Sequence, residues 1–218
     1  MNVLAIETAT PMCSLALMAG HDILERAELS PRGHASLLLP WAAELLAEAG
    51  LCYAKLDRIV VGRGPGGFTS LRIGLSVAQG IALAHDLPVS PVSSLAALAH
   101  AADRGAEHER ILALIDARMG EVFAGWFRRV DGQLRVEGAE RVLPPAELWL
   151  PGDSPWLVAG SGLAAFPDVI RQALGARMAL ACPEAWPGAR QALELGLQIE
   201  PVAPWSVEPV YVRNDVTN

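Results

Sequence analysis

The sequence predicts an α/β protein in which one plan occurs twice, and three observations carry that prediction. First, an apolar run ends at a carboxylate in each half, residues 3–6 at Glu7 and residues 111–115 at Asp116. Second, each run is followed by alternating segments and a turn, the pattern of a hairpin, and later by a strand that opens into glycines. Third, 218 residues at 52% hydrophobic content are enough for one bilobed domain or two small ones with real cores.

In the first half, residues 3–6 and 13–18 read as strands, and Gly20-His21-Asp22 turns the chain into a third strand over residues 23–29. A helix is expected over residues 34–49 with Gly50 as its stop signal, and Pro40 inside it predicts a kink. Residues 56–61 form strand four and lead into a glycine-rich loop. A second helix then covers residues 69–85, with Thr69 as the expected N-cap. A strand over residues 89–92 and a helix over 94–102 complete this half.

The second half restarts after the polar segment 103–110. Strands are expected over residues 111–115, 122–128 and 134–136, with Asp131-Gly132 as the hairpin turn. A short helix near 145–150 precedes a strand over 156–159 and the turn Gly160-Ser161-Gly162. A loop over 183–188, a helix over 189–199 and a proline-rich return over 201–209 finish the chain. This rhythm divides the protein into an N-terminal lobe, residues 1–103, and a C-terminal lobe with its tail, residues 104–218, the last residues returning over the body. Facing halves of this kind place Glu7 and Asp116 across a central cleft. That is the layout of the actin, hexokinase and Hsp70 (ASKHA) superfamily with duplicated ribonuclease H-like subdomains, in which two carboxylates flank phosphates and organise Mg²⁺.

Charge and composition exclude several classes of function. The formal net charge is −7, and of 17 basic residues only Lys55 is a lysine. No Lys/Arg cluster forms the footprint that independent RNA binding needs. Apolar runs break well short of a membrane span, and no signal peptide is visible, so a cytoplasmic location is expected. Cys13, Cys52 and Cys182 are odd in number and widely spaced in apolar surroundings, and read as reduced core cysteines. Five of the six tryptophans, Trp126, Trp149, Trp156, Trp186 and Trp205, fall late in the chain and are assigned to packing rather than base stacking.

The richest segment is Gly62-Arg63-Gly64-Pro65-Gly66-Gly67-Phe68-Thr69-Ser70-Leu71-Arg72-Ile73-Gly74. A strand, a glycine turn and a helix N-terminus together favour an anion, because exposed N–H groups and the helix dipole point at one place. A tight strand-to-helix turn that needs unusual backbone angles explains the same glycines equally well. No lysine follows them, so this is not a Walker loop.

Leu4-Ala5-Ile6-Glu7-Thr8-Ala9-Thr10, this glycine segment, Ile115-Asp116-Ala117-Arg118-Met119-Gly120-Glu121-Val122 and the closing Glu208-Pro209-Val210-Tyr211-Val212-Arg213 resemble, in order, the TsaB (YeaZ) family. The resemblance implies a role in placing the threonylcarbamoyl group (t6A) on adenosine 37 of tRNAs that read codons starting with A. It implies a non-catalytic scaffold, bound to the catalytic TsaD subunit and working with TsaE, that forms a homodimer when alone and meets tRNA mainly through the complex. No cofactor is intrinsic in this reading; ATP or ADP with Mg²⁺ belongs to the complex interface. The nucleotide or cleft candidates are Glu7, Thr8, Thr10, Gly64, Gly66, Gly67, Thr69, Arg72, Asp116, Arg118 and Glu121.

The residues themselves argue against chemistry. His21, His34, His85, His100 and His108 include no pair one helical turn apart, so no metal site is expected. Ser161 lacks the glycine pattern of a nucleophile elbow. Ala9 puts a Cβ where active superfamily members have a glycine beside a phosphate. Glu7 and Asp116 stand open to two explanations, pairing with Arg72 and Arg118 or contact with a nucleotide or TsaD. An active ATPase or small-molecule kinase and a metal-dependent peptidase remain the alternative functions.

A scaffold needs a close-packing face. Ser70, Gly74, Ala78 and Ala82 recur every four residues on the second helix, while Ser76, Gly80 and Ala84 mark another side. On the first helix Leu39, Ala42, Ala43 and Leu46 widen the apolar surface beyond the stripe that the core requires. The partner interface is accordingly expected at Leu39, Ala43, Leu46, Ser70, Gly74, Ala78 and Ala82.

Overall fold

Val3, Leu4, Ala5 and Ile6 are all fully buried, so the first strand, β1 (Asn2–Glu7), runs through the middle of its sheet. A strand covered on both faces reads as a continuous apolar run rather than an alternation. The computed structural model of the chain describes residues 1–103, 105 and 107–212, so Arg213 of the closing motif lies outside the described residues. β1 pairs antiparallel with β2 (Met12–Ala19), which pairs antiparallel with β3 (Asp22–Leu29). On its other side β1 runs parallel to β4 (Arg58–Gly62), and β4 runs parallel to β5 (Val89–Val92). The sheet order is therefore β3-β2-β1-β4-β5.

Strand alternation sorts the two faces. Leu4, Ile6, Leu15, Leu17, Ile59 and Val61 meet helices α1 (His34–Glu48) and α2 (Phe68–Ala84) in one core layer. Each fully buried Leu or Ile there contributes about 1.5–3 kcal/mol. Val3, Ala5, Ala16 and Val60 face the other way, onto Ala189, Ala192 and Leu193 of α6 (Ala189–Gly196).

The chain divides within α3 (Ser94–Ala102): Met1–Ala97 and Pro187–Val210 form one unit, and Leu98–Trp186 with Tyr211 and Val212 the other. The late segment belongs to the first unit because α6 fills that second core layer and Val202 exchanges backbone hydrogen bonds with Val89 at 2.8 and 2.9 Å. The division expected after residue 103 accordingly moves to Ala97.

The second unit repeats the plan with β6 (Arg110–Arg118) at its centre. β7 (Glu121–Val130) and β8 (Gln133–Val136) follow antiparallel, and β10 (Trp156–Ala159) and β11 (Met178–Cys182) lie parallel on the other side, giving the order β11-β10-β6-β7-β8. Renumbered within each unit, with one short sixth strand of the second sheet left out, both sheets read 3-2-1-4-5, the ribonuclease H-like order. β9 (Arg141–Leu143) pairs with β7 and is too short to carry a readable pattern.

Several local expectations are corrected. Between 145 and 150 there is one 3-10 turn, Pro145–Glu147, rather than a helix. Gly160 is not followed by a mere turn; α4 (Ser161–Ala165) begins there, and α5 (Pro167–Leu174) follows with proline at its first position and Asp168 in its first turn. α6 stops at Gly196 rather than Ile199. α1 runs on through Pro40, which leaves the Ser36 carbonyl without its intrahelical N–H. Cys52 is exposed, not core, whereas Cys13 is buried and its thiol is pushed up to about 11 by burial, with Glu28 adding to the shift. Trp126 and Trp156 are buried and Trp149 stacks on Trp126 at 4.4 Å, but Trp205 is 76% exposed and packs into no core.

Among the described residues, no helix is long and apolar enough to cross a membrane. The close fit of α6 to the sheet is testable. A Cβ on Gly196 would stand 2.6 and 2.7 Å from the two methyls of Val60. Gly196→Leu is expected to destabilise the protein by about 1–3 kcal/mol through overpacking. The reading is a lower urea midpoint at unchanged slope.

Candidate functional site

The end of β1 and the glycine loop are packed into one another, residue against residue. Glu7, Thr8, Ala9 and Thr10 are all buried. The space they need is supplied by glycines. A Cβ on Gly62 would strike the Glu7 carboxylate, its Cδ at 2.6 Å. One on Gly74 would strike the Thr8 hydroxyl and stand 3.2 Å from Thr8 Cβ. One on Gly66 would strike the Ala9 carbonyl and stand 2.6 Å from Ala9 Cβ. Gly64 adopts φ +89°, where an L side chain is strained.

Hydrogen bonds complete the closure. Gly67 N–H donates to the Ala9 carbonyl at 2.7 Å, and the Thr8 hydroxyl donates to the Ser70 carbonyl at 2.9 Å. Thr10 accepts Met12 N–H on its hydroxyl at 3.3 Å, and its carbonyl lies 3.0 Å from His34 Nε2. The Gly67 amide that an anion would use is therefore taken by the protein itself. Ala9 packs directly against Gly66, so this side of the loop is occupied by the protein's own chain.

Glu7 is enclosed in the same way. Its carboxylate accepts Ala9 N–H at 2.7 Å and the Ser94 hydroxyl at 2.8 Å, and Ser94 N–H in turn holds the Gly64 carbonyl at 2.9 Å. Burial raises the Glu7 pKa above its ordinary 4.5 and outweighs the lowering by Ala9, Ser94 and Thr8. Arg72 is not its partner; the guanidinium lies over the Phe68 ring, 3.3 Å from the centroid. Thr69 is not the helix cap either. α2 begins at Phe68 with Gly67 as N-cap and no side-chain cap, so Thr69 lies exposed in the first turn.

Asp116, the counterpart of Glu7 in the second unit, does pair with arginine. Arg118 meets it through Nη1 at 3.0 Å and through its backbone N–H at 2.8 Å. Ser161 accepts the Asp116 N–H at 3.1 Å and so ties α4 to the end of β6, a structural duty. Arg118 is paired in register with Glu121 across a hairpin whose tip, Arg118 to Gly120, has positive φ throughout.

The expected partner face is redrawn. Gly74, Ala78, Ala82 and Leu46 lie in the core of their own unit and Ser70 is half-buried; only Leu39 and Ala43 of that set are exposed. Small residues at 74, 78 and 82 are there to bring α2 close to its own sheet and to Thr8. The outward side of α2 is Ser76, Gly80, Leu83 and Ala84, and that of α1 is Leu39, Pro40, Ala43 and Ala47. The face of α2 expected to meet the partner, Gly74, Ala78 and Ala82, is the one buried in its own unit. The signal that separates the two faces is Thr8, whose bulk needs a glycine opposite.

Two 3-2-1-4-5 sheets, each with a carboxylate at the end of its central strand, define an α/β protein of the actin, hexokinase and Hsp70-like (ASKHA) class. Residues 25–196 match the family model described as TsaD, tRNA N6-adenosine threonylcarbamoyltransferase. The chain is 37% identical to the Escherichia coli K12 protein named tRNA threonylcarbamoyladenosine biosynthesis protein TsaB, over 99% of this chain and 96% of that one. It is 36% identical to the Haemophilus influenzae protein of the same name, over 100% and 95%. The solved structure of YeaZ from Pseudomonas aeruginosa superposes at a TM-score of 0.89 with 39% identity, covering 96% of this chain and 99% of that one. The chain belongs to the TsaB (YeaZ) family.

Two measurements check this geometry. The raised pKa of Glu7 means that its stabilising contribution is present below pH 4.5 and is lost as pH rises through the folded value. Glu7→Gln should therefore gain on the natural protein in urea midpoint as pH rises from 4.5 towards neutrality; a constant difference would show that Glu7 does not titrate in this way. Nothing lies within 4 Å of a Cβ on Gly80, so Gly80→Ala should stabilise by about 0.5–1 kcal/mol. In the same denaturation assay Gly74→Val should destabilise by about 1–3 kcal/mol.

Proposed function

We propose that this chain serves t6A biosynthesis as a non-catalytic subunit that binds and supports the transferase TsaD, with TsaE as a further member of the assembly. The observation that carries this reading is the contrast between a closed loop and an open surface. The segment that would cradle a phosphate is filled by Glu7, Thr8 and Ala9. The stripe on α1 and α2, where Leu39 is 51% and Leu83 54% exposed among small residues, is open to another molecule.

Ser76, Gly80 and Ala84 let a second helix come close, as ridges fit into grooves. The reading places TsaD helices on that stripe, and a second copy of this chain there when TsaD is absent, since a two-fold interface uses one patch twice. The family name carried by its relatives supports the pathway. A cytoplasmic location follows from that work on tRNA. A net charge of −7 leaves tRNA contact mainly to the complex, and ATP or ADP with Mg²⁺ is assigned to the complex rather than to this chain alone.

Reconstitution tests it. tRNA threonylcarbamoylation by the purified pathway enzymes should fall at least tenfold when this chain is omitted. An Ala43→Arg, Gly80→Arg variant should unfold at a urea midpoint no lower than that of the natural protein, yet lose co-elution with TsaD and restore less than a tenth of the modification. Full activity without the chain, or with that variant, would overturn the proposal.

A further inference from the structure

At the C-terminal end of α2 the first unit builds a groove of about 350 Å³ lined by Leu83, Asp86, Pro88, Val202, Pro204 and Trp205, among others. One wall is the returning segment, and it is held rigidly. Val202 and Val89 exchange two backbone hydrogen bonds, and Gln79 Nε2 donates to the carbonyls of Pro204 at 3.0 Å and Val207 at 3.1 Å. A preformed wall needs little ordering when something binds. Trp205 is 76% exposed at this wall, a large aromatic surface of the type that dominates interfaces.

Asp86 is the one charged residue of the lining, and its position is unfavourable twice over. It follows the last residues of α2 with φ +53°, and Leu87 N–H returns to the Ala82 carbonyl at 2.9 Å, so Asp86 holds the left-handed position where glycine closes helices. It is also an acid at the negative end of a helix whose last turn carries no basic residue. Among the described residues its carboxylate has no hydrogen bond or ion pair to offset either cost. Leu83 belongs both to this groove and to the exposed stripe of α2, so one partner can cover both.

The geometry points to a socket for an arginine side chain of the partner protein, its guanidinium stacked on Trp205 and paired with Asp86. Arginine fits better than lysine because its planar group stacks and pairs at once. This inference rests on the partner reading above and adds to it a specific contact outside the helix stripe.

Titration calorimetry of the full chain with TsaD at low and high salt tests it. Asp86→Asn keeps a residue that tolerates the left-handed position and removes only the charge. It should weaken binding about tenfold at low salt and flatten the salt dependence. Trp205→Ala should weaken binding by a similar factor. Asp86→Gly should raise the thermal midpoint while it weakens binding, the mark of a residue kept for recognition. Unchanged affinity in Asp86→Asn and Trp205→Ala, with Ala43→Arg, Gly80→Arg still abolishing binding, overturns the socket and leaves the partner reading intact. A loss in Trp205→Ala alone overturns the arginine and makes the occupant apolar. Absence of binding by the natural protein overturns both readings together.

Discussion

Three consecutive side-chain positions at the end of β1 occupy the space that three glycines leave free. Glu7 stands against Gly62, Thr8 against Gly74 and Ala9 against Gly66. The turn from β1 to β2, the start of α2 and the start of α3 are locked together by this fit, with Ser94 joining Glu7 to the loop through its hydroxyl and Gly64 through its amide. An uncompensated buried carboxylate would be very costly, and here one hydroxyl and two backbone amides compensate it in part. Any change to one member of the set meets the others directly.

That constraint bears on what the glycine loop can offer a ligand. A glycine loop at a helix N-terminus offers donors to an anion only while those donors are free. In this chain Gly67 N–H is bound to Ala9 and Gly66 lies against Ala9, so the loop packs onto the end of β1. The outward stripes of α1 and α2 and the groove beside them are exposed. Asp86 and Trp205 sit in that groove against local preference, one for backbone and dipole, the other for burial. Residues that break local rules without an internal partner are where recognition by another molecule is expected.

The division between what was legible in the sequence and what was not follows physical lines. Strands β1, β4 and β6 were readable because burial on both faces leaves an unbroken apolar run, and the repeat of the plan followed from two such runs ending in carboxylates. The 3-2-1-4-5 order was within reach of that repeat. α4, α5 and β11 were not read at all: they are short, and β11 carries no alternation because most of it is exposed at a sheet edge. Of the residues expected on the partner face, only Leu39 and Ala43 are exposed, for a clear reason. Two small-residue stripes on α2 look alike in one dimension, and only the neighbour at Thr8 tells the inner from the outer. Glu7 was read as a candidate for arginine pairing, since nothing in one dimension places Ser94, 87 residues away, against its carboxylate.

The central claim is that the glycine loop is closed by the protein's own chain. Binding of ATP with Mg²⁺ to the isolated, purified chain, followed by amide NMR, tests it most directly. The account predicts no saturable binding at millimolar nucleotide and unmoved Gly66 and Gly67 resonances. Saturable binding in the micromolar range with shifts centred on Gly66, Gly67 and Ala9 would contradict it.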